Sequence, residues 1–347
     1  MDFKPRDVPA LRVQRSLPLR LRRTPGEGRS GSGVGEVGWV RIRRCSRQPI
    51  APRAAPIPVV LPWVWVLGNP ELIVRTHGVH RVKVLTFFNH AGGVAKTSTV
   101  RDVGYVLGEL GKRVLLVDVD PQANLTKWLG VEDDVELEDT IYPGVITSAA
   151  DEADGIEPAL ALPAPRRVHG VDLLPSHLNL AILEREILSV FMGVMRLREA
   201  VRTLEGYDYV LIDPPPSLGQ LSALAVVAAD RVIVPLPTNR KGLDGLPTVM
   251  RMVREYRKAA PALDIALFVL TQHDRRTRHD RESREVIERQ LTSVAPVSTP
   301  LNSRPAYYSD AQVQGMPVSV YAPGSEADLE VRQVTAELLE ALEGPLR

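Results

Sequence analysis

From residue 82 onward, short apolar runs alternate along the chain with segments whose apolar residues recur at helical spacing. Nearly continuous apolar runs are typical of strands buried on both faces of a parallel sheet. Strands that alternate with helices predict βαβ units with right-handed crossovers. The predicted strands are 82–88, 112–120, 207–215, 230–237 and 263–271, and the predicted helices are 100–111, 178–204 (two helices), 220–228, 243–259, 281–291 and 327–342.

This alternation predicts an α/β fold with a mostly parallel central sheet flanked by helices. The acidic segment 131–170, rich in proline and alanine, interrupts the alternation, and we interpret it as an insertion or a long loop. One α/β domain over residues 81–347 is the simplest organisation.

Residues 1–80 are rich in Arg, Pro and Gly and follow no strand or helix period, so a packed core is not expected there. They carry 14 Lys and Arg against 5 Asp and Glu, whereas the remainder carries 29 against 37. Three interpretations stay open: a disordered or artefactual extension, a basic arm that holds DNA through phosphate contacts, or a small folded element.

Composition excludes several classes of protein. Cys45 is the single cysteine in 347 residues, which excludes a disulfide framework, a four-thiolate zinc site and an intrachain iron–sulfur cluster. The chain has no run of about 18 apolar residues that could form a transmembrane helix. We therefore expect a soluble, cytoplasmic protein.

Residues 89–98, NHAGGVAKTS, lie between a predicted buried strand and a predicted helix. Two glycines allow the backbone to turn its N–H groups toward an anion, and the start of the helix adds free N–H groups and a positive dipole end. Lys96 would reach the β- and γ-phosphates of a nucleotide, and the Thr97 hydroxyl would bind Mg²⁺. The predicted nucleotide-binding residues are Ala91, Gly92, Gly93, Val94, Ala95, Lys96, Thr97 and Ser98.

A simple glycine turn before a helix that begins with Lys-Thr-Ser remains an alternative, because the strict G-x-x-x-x-G-K-[ST] spacing is absent. Three carboxylates argue against it. Asp118 and Asp120 end the second predicted strand, and Asp213 ends the third. In open α/β sheets the ligand crevice lies outside the carboxyl ends of the strands, so these acids would meet the loop there.

The segments 89–98, 113–130 and 207–219, in this order, resemble the ParA family of partition ATPases, and the similarity continues to about residue 345. The resemblance implies the P-loop NTPase fold of the deviant Walker A type, shared with MinD and the nitrogenase iron protein. It implies ATP and Mg²⁺ as cofactors, with Lys96 as the P-loop lysine and Thr97 as a Mg²⁺ ligand. It also implies that Asp120 positions the attacking water and that Asp213 holds Mg²⁺ through water. Lys96 and Asp120 are thus the expected catalytic residues, and Asp118 is interpreted as structural.

The resemblance further implies an ATP-dependent homodimer that binds nonspecific double-stranded DNA on the nucleoid and is stimulated by a ParB-like partner. Two positions depart from the family pattern. Ala91 stands where the family has a signature lysine, and Ala95 replaces a later glycine. A neutral His90 would not supply the missing charge. Two alternatives follow: a noncatalytic nucleotide-binding switch that gates DNA or protein association, and a small-molecule synthetase of the same P-loop class.

A cluster of arginines near residue 280 has two interpretations. The arginines contact DNA phosphates, or they form a solvated helix face and pair with neighbouring acidic residues. The candidate DNA-binding residues are Arg275, Arg276, Arg278 and Arg304. A membrane-targeting helix of the MinD kind would be basic, whereas the C-terminal segment is acidic, so no membrane partner is expected.

Overall fold

The computed structural model describes residues 82–131, 133–146 and 161–343. The extension predicted over residues 1–80, with Cys45 and the candidate basic arm, lies outside the described residues. So does the middle of the segment 131–170. Within the described ranges, none of the helices is long and apolar enough to cross a membrane.

The centre of the fold is a seven-stranded sheet with the strand order β3-β4-β2-β5-β1-β6-β7. All neighbouring pairs are parallel except β3 and β4, which confirms the predicted mostly parallel sheet. The strands are β1 Lys83–Phe87, β2 Val114–Asp118, β3 Arg166–Val168, β4 Val171–Leu174, β5 Tyr209–Asp213, β6 Arg231–Pro237 and β7 Asp264–Thr271.

Helices cover both faces of the sheet because successive strand residues point to opposite sides. Leu85 and Phe87 pack into a core with residues of the first and last helices, whereas Val84 and Phe88 pack into a second core with the middle helices. The α-helices are α1 Lys96–Glu109, α2 Asn124–Lys127, α3 Tyr142–Val145, α4 Leu183–Glu186, α5 Arg196–Arg202, α6 Gln220–Ala228, α7 Arg240–Tyr256, α8 Arg278–Leu291, α9 Pro305–Val313, α10 Val318–Tyr321 and α11 Glu326–Glu343.

Capping residues explain where two helices begin. The Asn239 side chain accepts a hydrogen bond from the backbone of α7, and the Thr277 hydroxyl accepts one from the backbone of α8. Both helices therefore begin three residues earlier than their apolar periodicity predicts. Helix α6 has the predicted bounds.

Three features differ from the sequence-based expectation. Part of the predicted long loop forms the antiparallel hairpin of β3 and β4 at one sheet edge. The two helices expected over 178–204 are instead short pieces, with 3₁₀ turns before α4 and α5. Helix α9 begins at Pro305 and helix α10 follows Pro317, in a segment for which the sequence predicts no helix.

The sheet has a switch point between β1 and β5. These strands are neighbours, yet α1 packs on one face and α6 on the other. A crevice is expected outside the carboxyl ends of such a pair, which is where the β1–α1 loop and Asp213 lie.

Candidate functional site

The β1–α1 loop offers backbone N–H groups to an anion. From Gly92 to Ser98 these groups have no acceptor among the described residues. Gly93 and Ala95 have positive φ angles of 66° and 67°, which is the left-handed conformation that favours glycine. An alanine there costs about 1–2 kcal/mol, so the loop keeps a glycine-type turn despite the substitution. A row of free donors at a helix start is an anion-binding arrangement.

Side chains from elements distant in the sequence hold the loop in this shape. Three successive carbonyls, beginning at Gly92, accept hydrogen bonds from Lys241 Nζ, from Gln272 Nε2 at 3.0 Å and from Thr271 Oγ1 at 3.1 Å. Asn89 fixes the start of the loop by donating to the Pro235 carbonyl at 2.9 Å. With its carbonyls occupied from outside, the loop leaves its N–H groups for a ligand.

Lys96 lies at the start of α1 and is 6% exposed. Its ammonium donates a hydrogen bond to the Ala91 carbonyl at 3.0 Å. Burial lowers the pKa of Lys96, while the charges of Asp213 and Asp120 act in the opposite direction. A lysine held beside the loop by a single neutral acceptor can exchange that acceptor for a phosphate oxygen.

Asp118 uses its carboxylate within the protein. It accepts hydrogen bonds from the Thr126 backbone at 2.9 Å, the Thr126 hydroxyl at 2.8 Å and the Asp120 backbone at 3.1 Å. Burial raises its pKa to about 7, and the hydrogen bonds from Thr126 act against this rise. These contacts tie the end of β2 to the start of α2, which is a structural task.

Asp120 follows two residues later and lines the cavity beside Lys96. One carboxylate oxygen accepts the Gln122 backbone N–H at 2.9 Å. Burial raises the pKa of Asp120, and the charge of Lys96 lowers it. In contrast to Asp118, this side chain reaches the space where a ligand can lie.

Asp213 ends β5 directly opposite Asp118 in the parallel register. Both of its carboxylate oxygens are buried without a hydrogen-bond partner of normal geometry among the described residues. Burial and then the charge of Asp118 raise the pKa of Asp213 well above its ordinary value, while the Thr97 hydroxyl and Lys96 act to lower it. A buried carboxylate in this state is suited to a cation, because unpaired buried charge is costly.

These groups meet at a cavity of about 390 Å³. This volume is in the usual range of small-molecule sites. Asp118 and Asp213 are not part of its wall, and the charges of Asp213 and Lys96 interact. The lining residues include Lys96, Thr97, Asp120, Trp128, Asn302, Arg304 and Tyr308.

Comparisons with known proteins agree with this geometry. A family model described as an AAA domain matches residues 82–265. The chain is 41% identical over 283 residues to a probable plasmid-partitioning protein ParA of Thermus thermophilus, covering 79% of this chain and 83% of that protein. The chain belongs to the ParA family of partition ATPases. It is also 34% identical to the sporulation initiation inhibitor protein Soj of Bacillus subtilis, covering 73% of this chain and 98% of Soj.

Solved structures similar to this ParA-family chain share its fold. One of them is a cobyrinic acid a,c-diamide synthase from Mycobacterium smegmatis with bound ADP and magnesium, which is 29% identical with a TM-score of 0.61. The match covers 76% of this chain and 97% of the synthase chain. The septum site-determining protein MinD from Pyrococcus horikoshii, complexed with Mg-ADP, is 21% identical with a TM-score of 0.56. The match covers 76% of this chain and 98% of the MinD chain. The fold is thus that of the MinD/ParA-type P-loop ATPases.

The candidate DNA-binding arginines occupy two settings. Arg275, Arg276 and Arg278 are exposed at and just before the start of α8, where Arg276 pairs with Asp274 at 2.8 Å and Arg278 with its i+4 neighbour at 2.6 Å. Arg304 lines the cavity, and its guanidinium is held by Glu326 at 2.5 Å and by a second glutamate, Glu330, at 2.9 Å. Its DNA contact stays a prediction, since its contacts here are within the protein.

Sequence reasoning missed the side chains that reach the loop from distant elements: Lys241, Gln272 and Thr271. One signal for them is available in the sequence. Each follows or ends a predicted strand at its carboxyl end, as the predicted aspartates do, and Lys241 comes only four residues after β6.

Proposed function

We propose that this protein binds ATP with Mg²⁺ and hydrolyses it in the service of DNA partition. The observation that carries the proposal is the pairing of a row of free backbone donors, from Gly92 to Ser98, with the ammonium of Lys96 at one end of the cavity. Donors alone bind any anion, but their position at a P-loop in a ParA-family chain favours a nucleoside triphosphate.

The described residues fit a magnesium ion at the phosphate end. Mg²⁺ is usually bound through one or two carboxylates, waters and substrate phosphates. Thr97 and the two unpartnered oxygens of Asp213 are the groups that would hold it, directly and through water respectively. Bound there, Mg²⁺ would neutralise charge on the β- and γ-phosphates.

Hydrolysis needs a positioned water more than covalent chemistry. The oxygen of water attacks the γ-phosphorus, the bond from that phosphorus to the bridging oxygen breaks, and its electron pair stays on ADP. The water's protons pass to the released phosphate and to solvent. Asp120 would orient this water, and Lys96 would stabilise the charge that develops on the phosphate oxygens.

The finer parts of the proposal come from the family: an ATP-dependent homodimer, nonspecific double-stranded DNA on the nucleoid, and a ParB-like stimulating partner. The exposed arginines at the start of α8 support the DNA contact, because phosphates are bound by exposed cations.

A second candidate function is a noncatalytic nucleotide-binding switch, and Ala91 is the observation that favours it. A loop that lacks a cation at this position has less electrostatic stabilisation for a developing γ-phosphate charge. In this alternative, nucleotide binding gates DNA or protein association without useful turnover.

Turnover separates the two functions. We would measure phosphate release by the full chain with DNA present, and with a ParB-like protein from the same organism, for the wild type and for Asp120→Ala. An ATPase is expected to lose at least about tenfold in turnover on this substitution while still binding ATP. Equal and negligible turnover in both proteins would favour the switch. Asp172→Ala, on strand β4 next to the edge of the sheet, serves as the control for nonspecific effects of removing a carboxylate.

A further inference from the structure

A second lysine reaches the phosphate loop from a different part of the fold. Lys241 is the second residue of α7, and its ammonium donates a hydrogen bond to the Gly92 carbonyl. The same ammonium lies 3.7 Å from the position that a Cβ atom would take on Gly93. Lys96 meanwhile binds the preceding carbonyl, that of Ala91. Two ammonium groups are thus held at adjacent carbonyls of one loop.

Close packing between the start of α7 and the end of β6 determines the position of Lys241. The next residue, Gly242, approaches the end of β6 so closely that a Cβ atom there would lie 1.9 Å from the Pro237 carbonyl oxygen. The Asn239 side chain also accepts the Gly242 N–H at 3.4 Å. The first turn of α7 is therefore pressed against the carboxyl end of the sheet, where the loop lies, and Lys241 is carried there with it.

No carboxylate of the described residues neutralises the charge on Lys241. Its neighbour Arg240, by contrast, pairs with Asp244 at 3.4 Å. Burial and, as a smaller cause, the charge of Lys241 lower the pKa of Lys96, as expected for two like charges held at adjacent carbonyls. An anion between the two ammonium groups would offset their repulsion.

The other side chains at the start of the loop do not offer a positive charge. Position 91 is alanine, and burial followed by the charge of Lys96 lowers the pKa of His90, so its imidazole is neutral at pH 7. Gly92 and Gly93 are at the end of the loop away from α1. The P-loop lysine reaches the β- and γ-phosphates of a bound nucleotide. Since Lys96 and Lys241 bind adjacent carbonyls, those of Ala91 and Gly92, a terminal phosphate contacted by Lys96 would also be close to Lys241.

We propose that Lys241 is a second phosphate-binding cation of the ATP site, which contacts the terminal phosphate from the helix after β6 and favours ATP over ADP. The inference rests on the proposed nucleotide-binding function and assigns the charge absent at position 91 to a residue of the same chain. Lys241 exchanges the Gly92 carbonyl for a phosphate oxygen when ATP binds.

The test is equilibrium binding of ATPγS and of ADP, each with Mg²⁺, to the full chain. We would compare the wild type with Lys241→Met, which keeps the apolar stem and removes the charge, and with Arg240→Met as the matched control. Lys241→Met is expected to weaken ATPγS binding about tenfold and ADP binding less than twofold. Arg240→Met is expected to bind both nucleotides as the wild type does.

Three outcomes would overturn the inference. Unchanged affinities in Lys241→Met would show that the ammonium does not contact nucleotide, although the proposed function would stand. Equal weakening for ATPγS and ADP would contradict a contact with the terminal phosphate. A wild type that binds neither nucleotide would overturn both the proposed function and the inference.

A rescue variant tests the assignment of the charge. Adding Ala91→Lys to Lys241→Met places a cation at the start of the loop again. We expect the double variant to recover most of the lost ATPγS affinity. An affinity that stays at the level of Lys241→Met would contradict the view that Lys241 supplies the charge absent at position 91.

Discussion

At the scale of single residues, the site contains two buried carboxyl groups that face each other across neighbouring strands. Asp118 accepts three hydrogen bonds from the protein, whereas Asp213 accepts none of normal geometry from the described residues. This difference in hydrogen bonding distinguishes the roles of Asp118 and Asp213 more clearly than their positions in the sequence do. Asp118 holds the β2–α2 connection, and Asp213 is the carboxylate that we propose as a cation ligand.

The buried Asp118 makes stability depend on pH in a particular direction. Its pKa is raised to about 7 in the folded protein, above its ordinary value near 4. Between these values the folded protein keeps a proton that the unfolded chain has lost, so this group lowers the free energy of unfolding as pH rises toward 7. Above pH 7 its contribution no longer changes.

We therefore predict that Asp118→Asn flattens this dependence. Urea unfolding of the wild type and the variant, followed by circular dichroism from about pH 5 to about pH 7, measures the two slopes. The lost hydrogen bonds add a pH-independent cost of about 1–3 kcal/mol, because an amide cannot accept all three, and this cost does not change the slope. Parallel slopes would contradict the prediction, whatever the overall loss.

The chemistry-bearing residues that the sequence could predict are those at the ends of apolar strands. Lys96, Thr97, Asp120 and Asp213 follow such runs, and the parallel sheet brings them to one edge. Lys241 also follows a predicted strand closely, but its position in the sequence does not show that its side chain contacts the loop. Its contact with the loop joins residues 149 positions apart and depends on a close approach between two elements.

At the scale of elements, the apolar runs predicted five of the seven described strands because nearly all residues of each are buried. The hairpin of β3 and β4 was missed because its strands are only three and four residues long and one of them is partly exposed. Between residues 178 and 202 the periodicity predicts longer helices than the short 3₁₀ and α-helical segments that are present. Periodicity alone does not show where a chain changes from 3₁₀ to α geometry.

Helix α7 depends on a glycine at one position. A Cβ atom on Gly242 would lie 1.9 Å from a backbone oxygen of β6, and this oxygen cannot move aside as a flexible side chain can. We predict that Gly242→Ala lowers the free energy of unfolding by about 2–3 kcal/mol, despite the better helix propensity of alanine.

Gly245→Ala is the matched control on the same helix. The nearest atom to its added Cβ is His90 Cε1 at 3.5 Å, an ordinary contact, so this variant should gain up to about 1 kcal/mol from helix propensity. Urea unfolding of both variants checks the opposite signs. Equal stability of Gly242→Ala and the wild type would show that α7 does not need the close approach.

At the scale of the whole molecule, the DNA interaction expected of a partition protein can be tested through its salt dependence. Arg275 is exposed and has no carboxylate partner among the described residues, unlike Arg276 and Arg278. It is therefore the arginine of this cluster with its charge most available to a phosphate.

We predict that Arg275→Ala reduces the slope of log affinity against log salt by about 0.9, the effect of losing one phosphate contact. Binding of the ATP-loaded protein to a random-sequence duplex over a range of salt concentrations measures this slope. Arg167→Ala, on the edge strand β3 where Arg167 pairs with Asp172 at 2.9 Å, is the control. An unchanged slope would remove Arg275 from the contact set.

The central claim is that strand ends and a glycine-turned loop form a site for ATP and magnesium around Lys96. Calorimetric titration of ATP into the full chain, with and without Mg²⁺, tests it most directly. We predict one site per chain that Mg²⁺ strengthens, and at least about a hundredfold weaker binding in a folded Lys96→Ala variant. No ATP binding by the wild type, or the same affinity in Lys96→Ala, would contradict the account.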